Sequence, residues 1–255
     1  MRSRSAGALL GLLLLTGCSA GGSSSGDAAP GTTTTSATTT TTTAAAPAGS
    51  APATTGGASA GCPATGYALT GTASAPTLDV DGDGQADTEW IGTQPAADGS
   101  TQFGVQTASG AAITANLPSA SPVARSLLVA DVTGDGQLIA LAGDGRQVLL
   151  YAISACSILP VQNAQGQQYA FDLGFTGQGT GVGCADVDGD GVRDLVGLQA
   201  DGGTVTSTVV QLDGPRATNG TSRTAEGATA AQLEAAHQVT CGDLTIAADG
   251  VTSGP

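Results

Sequence analysis

Apolar residues along this chain fall in short runs punctuated by Gly, Asp and Asn rather than at helical spacing. Three runs, at 90–93, 138–142 and 195–199, each follow a loop rich in Asp and Gly. Their β-branched, aromatic or glycine-punctuated composition predicts short buried strands. A second set at 102–107, 147–153 and 204–212 predicts outer strands, reached through tight turns at Asp98, Asp144 and Asp201. One Ala-rich segment, 229–237, predicts a turn or two of helix, and no other stretch shows a helical pattern. The predicted fold class is therefore all-β. Aromatic residues are few (Tyr67, Trp90, Phe103, Tyr151, Tyr169, Phe171 and Phe175), so the core must come mainly from Val, Ile, Leu and Ala.

The loops before the first strand set carry the chemistry. DVDGDGQAD at 79–87 and DVDGDGVRD at 186–194 place carboxylates at relative positions 1, 3, 5 and 9, with glycines where the backbone turns sharply. A hard cation such as Ca²⁺ needs that donor set from a short loop. The candidate ligands are Asp79, Asp81, Asp83, Asp87 and the Gln85 carbonyl, then Asp186, Asp188, Asp190, Asp194 and the Val192 carbonyl, giving two sites. These are not EF-hand loops. Position 12, where an EF-hand needs a bidentate Glu, holds Trp90 or Gly197, with Glu89 one residue short, and strands rather than helices are expected to follow. A middle copy, DVTGDGQLI at 131–139, has Thr133 and Ile139 in place of two carboxylates and is not expected to hold an ion tightly. CGD at 241–243 echoes CAD at 184–186 and marks a possible fourth copy. Leading aspartates at 79, 131, 186 and 243 are 52, 55 and 57 residues apart. A period of that size, with a strand signal after each loop, is that of a repeat architecture such as propeller blades.

The first quarter of the chain reads differently. Residues 1–17 have Arg2 and Arg4, then an apolar run at 8–15 too short to span a bilayer as a stable helix, and predict a secretion signal. The sequence LTGC at 15–18 resembles a bacterial lipobox, which implies cleavage before Cys18 and lipid on that cysteine. Residues 18–61 are almost entirely Ser, Thr, Ala, Gly and Pro, with too little apolar side chain to offset the entropy of ordering. They predict a disordered tether of about 35 Å average reach. The repeat domain is assigned to 62–255, and the expected location is the outer face of a bacterial cell membrane.

The formal net charge is −14, with no lysine, and loss of Arg2 and Arg4 takes it to about −16. Nucleic acid and acidic membrane surfaces are poor partners for such a balance. Eight acids sit in the two intact loops and repel one another unless a cation is present. Besides Cys18 there are Cys62, Cys156, Cys184 and Cys241, an even set that predicts two disulfides in an exported domain. Three connectivities are possible. Cys184 with Cys241 is favoured because the two precede equivalent positions of adjacent repeats, leaving Cys62 with Cys156.

At 181–202, GVGCADVDGDGVRDLVGLQADG, and again at 127–145, LLVADVTGDGQLIALAGDG, the chain resembles the FG-GAP or VCBS-type repeats of integrin-like β-propellers. The resemblance covers roughly three repeats between Thr77 and Asp213, with Phe103-Gly104 the only counterpart of the literal FG pair. It implies one blade per repeat, with the calcium loop joining two of its strands. Family propellers usually have seven blades and this chain has room for about four. A small or incomplete propeller-like arrangement of three to four repeats is therefore expected.

Three functional readings follow. The favoured one is a non-enzymatic, lipid-anchored surface module that binds Ca²⁺ structurally and meets a protein or glycan ligand. The alternative is an extracytoplasmic wall or glycan hydrolase. Carboxylates at alternate positions of one loop suit a shared ion better than a separated acid/base pair, and the lone His237 is read as a surface or helix-end residue. In the third reading the loops are solvated acidic turns without metal. Asn219-Gly220-Thr221 matches a glycosylation acceptor but is read here as loop.

Overall fold

A computed structural model describes residues 61–119, 121–174 and 179–254, all within the unit Thr54–Pro255. The expected signal segment, Cys18, nearly all of the tether and Phe175 lie outside the described residues. What is described is all-β apart from one short helix, and no sheet closes on itself.

Three antiparallel sheets are built on one plan. In the first, β1 (Thr72–Pro76), β2 (Thr88–Gly92), β3 (Thr101–Gln106) and β4 (Ala112–Leu117) pair in chain order. The middle sheet repeats this with β5 (Ser126–Asp131), β6 (Leu138–Gly143), β7 (Gln147–Ser154) and β8 (Ser157–Pro160); β9 (Ala170–Asp172) also pairs with β7. The third contains β10 (Thr180–Ala185), β11 (Asp194–Asp201), β12 (Thr204–Asp213) and β13 (Arg216–Glu226). Helix α1 (Ala230–Ala235) follows, opened by a capping box in which Thr229 and Gln232 satisfy each other's backbone N–H. The hairpin of β14 (Thr240–Cys241) and β15 (Leu244–Thr245) comes next, and the final strand β16 (Val251–Thr252) returns to the free edge of β5. Around Asp243 the chain thus makes a hairpin and one returning strand rather than a fourth four-stranded sheet.

The central apolar runs follow from the middle sheet's position between two cores. Leu128, Ala130, Ile139, Leu141, Val148 and Leu150 face the third sheet, packing with Val182, Leu195 and Val210. Their alternate neighbours Leu127, Val129, Ala140, Ala142, Leu149 and Tyr151 face the first sheet, packing with Ile91, Phe103, Val105 and Leu117. A strand buried on both faces has no polar alternation to display. Tyr151 crosses this interface, meeting Phe103 edge to face at 4.8 Å between ring centroids and donating to the Asn116 carbonyl at 2.8 Å.

Phe103-Gly104 has a local reason here. Gly104 pairs with Thr114 on one side and Trp90 on the other, and an added Cβ would collide with the Ile113 carbonyl. Gly104→Ala is expected to cost about 1–3 kcal/mol through forced strand displacement, read as a lower midpoint in urea unfolding with unchanged slope.

Two disulfides staple the ends: Cys62 with Cys156 and Cys184 with Cys241, the favoured pairing. Two disulfides fit an oxidising, extracytoplasmic environment. Among the described residues no helix is long and apolar enough to cross a membrane.

Candidate metal centre

Each Asp-Gly loop joins the first and second strands of its sheet: 79–87 between β1 and β2, 131–137 between β5 and β6, and 186–194 between β10 and β11. The loops wind around their first aspartate. Asp79 accepts from the Gly82 N–H (2.8 Å), the Asp83 N–H (3.2 Å) and the Gly84 N–H (2.8 Å). Asp186 accepts from Gly189 (2.6 Å) and Gly191 (3.0 Å), and Asp131 from Gly134 (2.8 Å) and Gly136 (3.0 Å). Both glycines of every copy have positive φ, 75° and 87° at Gly82 and Gly84, so the winding needs glycine there.

Positions 1, 3 and 9 converge in the two intact loops. One carboxylate oxygen each from Asp79, Asp81 and Asp87 lie within 4.8 Å of one another, and the same holds for Asp186, Asp188 and Asp194. The ninth position reaches back across the loop: Val80 donates to Asp87 at 2.7 Å and Val187 to Asp194 at 3.2 Å. Position 5 behaves differently. Asp83 and Asp190 fall outside these groups and accept from the position-7 N–H groups of Gln85 (2.8 Å) and Val192 (2.7 Å). Three converging carboxylates with no nitrogen or sulfur donor form an all-oxygen set, which suits a hard divalent cation.

The two sites differ in setting. Asp87 is 2% exposed, and its second oxygen accepts from the Ala108 N–H at 2.9 Å, while Asp81 accepts from the Cys62 N–H at 2.7 Å. Burial pushes the Asp87 carboxyl up, the Val80 and Ala108 N–H groups pull it down, and the charges of Asp81 and Asp79 push it up again. A bound cation reverses that repulsion. In the other loop Asp186 and Asp188 are exposed.

The middle copy explains its own decay. With Ile139 buried in the core where the ninth carboxylate would stand, Val132 donates instead to the Gln137 carbonyl at 3.1 Å. Thr133 hydrogen-bonds Asp135. Arg193, from the third sheet's loop, reaches across and donates to the Asp131 carbonyl at 3.0 Å, its guanidinium lying beside Gly134. The middle loop thus carries a side-chain cation against its backbone.

The burial of one further acid, Glu89, was not read from the sequence. Glu89, on β2, is 1% exposed, and its Oε2 accepts from the Val129 N–H at 2.7 Å, a donor on the edge of β5 just past the end of β16. The Thr77 hydroxyl and the Val251 N–H favour its ionised form, but neither gives Oε1 a hydrogen bond, and burial prevails, raising the carboxyl to about 8. The signal for it was an acid at a core-facing strand position.

His237 lies just beyond α1, its Nδ1 buried without a hydrogen-bond partner, and no hydrogen bond among the described residues links it to a serine or carboxylate. Asn219 stands within β13, paired with Val210, so the sequence reading of it as loop is corrected. No protein-family model, curated protein or solved structure matches this chain.

Proposed function

We propose that this protein is an exported lipoprotein, anchored through Cys18, whose FG-GAP-like repeats form an open, propeller-like stack of blades that holds two structural Ca²⁺ ions and presents its surface to a protein or glycan ligand. The observation that carries this reading is the same three-carboxylate convergence at positions 1, 3 and 9 in two separate sheets, each time between the first and second strands. Ca²⁺ fits because it takes six to eight oxygens in flexible geometry. Asp83, Asp190, the Gln85 and Val192 carbonyls and water are the further donors available to complete such a shell. Lining each ion with carboxylates on the loop that joins two strands makes the ion a brace between them. Sites of this kind on extracellular modules work with dissociation constants around 10⁻⁴ to 10⁻³ M.

The test is calcium titration of the wild type and three variants. Asp186→Ala is expected to reduce the stoichiometry from two ions to one, Asp81→Ala likewise through the other loop, and Asp131→Ala to leave it unchanged. Binding of two ions by Asp186→Ala, or loss of binding by Asp131→Ala, contradicts the assignment.

A further inference from the structure

The inner face of the third sheet is divided in two. Its lower half, Val182, Cys184, Leu195 and Val210, is packed into the core against the middle sheet. Its upper half continues on the same face as two polar cross-strand rows, because paired residues of adjacent strands point to the same side. One row is Thr180, Gln199, Thr206 and Thr224; the next carries Thr208 and Ser222 beside Gly197. Hydroxyls are paired along the rows, Thr206 with Thr224 at 3.0 Å and Thr208 with Ser222 at 2.8 Å. Each hydroxyl has one donor and two acceptor positions, so a pair leaves acceptor capacity directed outward. The Gln199 amide has no partner among the described residues.

Nothing described in the chain covers this platform. The strand that would do so, β9, is only Ala170–Asp172. Beside the platform stands the half-buried Tyr169, meeting Phe171 edge to face at 5.4 Å; Phe171 itself is 4% exposed and packs into the core against Gly197, where an added Cβ would lie 3.1 Å from its ring. Tyr169 and the near part of the platform, Thr180, Gly197, Gln199 and Thr208, line a cleft of about 280 Å³, and Tyr169 and Asn219 also border a second of about 450 Å³. The Tyr169 hydroxyl donates to Asn219 Oδ1 at 2.5 Å and divides them. The opposite face of the sheet at this level is flanked by α1.

We propose that this cleft binds a neutral saccharide chain. This names a ligand class and a place for the surface-module reading above, and rests on that reading only for the presence of a ligand; its residues are separate from the calcium loops. Strands about 4.8 Å apart set flat rows of hydroxyl and amide groups at regular intervals, matching the repeated hydroxyls of a sugar chain. The half-buried Tyr169 ring is the apolar surface the cleft offers to the C–H face of a pyranose ring, and an aromatic side chain with a polar handle serves both kinds of contact. All six platform residues are uncharged in a chain of net charge −14, and the nearest acids, Asp172 lining the cleft and Asp201 and Glu226 beyond the rows, disfavour a polyanion.

The test uses the whole protein, in calcium, on an array of neutral hexasaccharides of glucose, mannose, galactose and arabinose, with heparin as the charged control. The expected result is saturable binding to at least one neutral hexasaccharide and none to heparin. The double variant Thr206→Val, Thr208→Val keeps β-branched side chains of the same shape, so it folds while losing both hydroxyls, and is expected to weaken binding tenfold or more. Gln199→Ala weakens it also, and Ser207→Ala, on the opposite face, leaves it unchanged. Absence of binding to every neutral hexasaccharide up to 10 mM, or equal binding by wild type and double variant, overturns the proposal. Calcium binding without sugar binding leaves the calcium reading standing, and sugar binding without calcium binding does the reverse.

Discussion

Replacing Cys184 and Cys241 together by serine is expected to lower the melting temperature by on the order of 10 °C, and replacing Cys62 and Cys156 by a similar amount. The bridges close loops of 57 and 94 residues that do not overlap. In the chain-entropy account, loops of these lengths restrict the unfolded state by about 4–5 kcal/mol each. For a domain of this size each kcal/mol corresponds to roughly 2–4 °C. The mechanisms differ locally. Cys184 is a core-facing residue of β10 and Cys241 lies in the hairpin beside it, so that bridge fastens the C-terminal segment to the third sheet. Cys156, at φ 60°, and Ala155, at φ 48°, form the turn between β7 and β8. Two non-glycine residues in the left-handed region cost of order 1–2 kcal/mol each, so the bridge to Cys62 holds a turn with its own tendency to relax. Its loss also frees the Cys62 N–H that Asp81 accepts, so this pair, unlike the other, is expected to weaken calcium binding at the first loop. Differential scanning calorimetry of both serine pairs, each with and without calcium, checks the two expectations.

Glu89→Gln is expected to stabilise the protein progressively as pH rises. The folded carboxyl is pushed up to about 8 by burial, against an ordinary value of 4.5. A group whose folded value is raised gives its full stability below the unfolded value and loses it as pH rises through the folded one. Wild type should therefore lose stability relative to Glu89→Gln between pH 4.5 and 8, by an amount on the order of 4 kcal/mol at the upper end. At pH 4.5 the two proteins should unfold alike, since a protonated carboxyl and an amide both retain the acceptor for the Val129 N–H. Urea unfolding across that range, in chelator so that the neighbouring loop ions do not move the carboxyl, is the measurement. Parallel pH profiles for the two proteins would show that Glu89 is ionised in the fold.

Which features were legible in the sequence follows from how each residue is held. The loops were legible because an aspartate that winds a backbone around itself needs its glycines at set offsets, and the strands after them because TEWIG and DLVGL are buried on the pattern that burial demands. The strand before the third loop was missed: β10 reads TGVGCA, small residues whose pairing comes from their neighbours. β13 was missed for another reason. RATNGTSRTAE has no apolar alternation because it is an exposed edge, held to β12 by its ladder and by hydroxyl pairs. The sequence offers three or four carboxylate ligands per loop without saying which; position 5 is turned onto the position-7 N–H, a local contact that competes with the shared centre. Glu89 escaped because a charge at a core-facing strand position carries no motif.

Calcium titration of the oxidised, chelator-stripped protein, with thermal unfolding followed alongside, tests the central claim most directly. Two ions should bind, and the melting temperature should rise with calcium by the equivalent of about 2.7 kcal/mol per site, roughly 5.5 kcal/mol for two independent sites, when free calcium is 100 times the dissociation constant. No heat of binding, and the same melting temperature in millimolar calcium and in chelator, would contradict the account and make the two loops acidic turns of the fold.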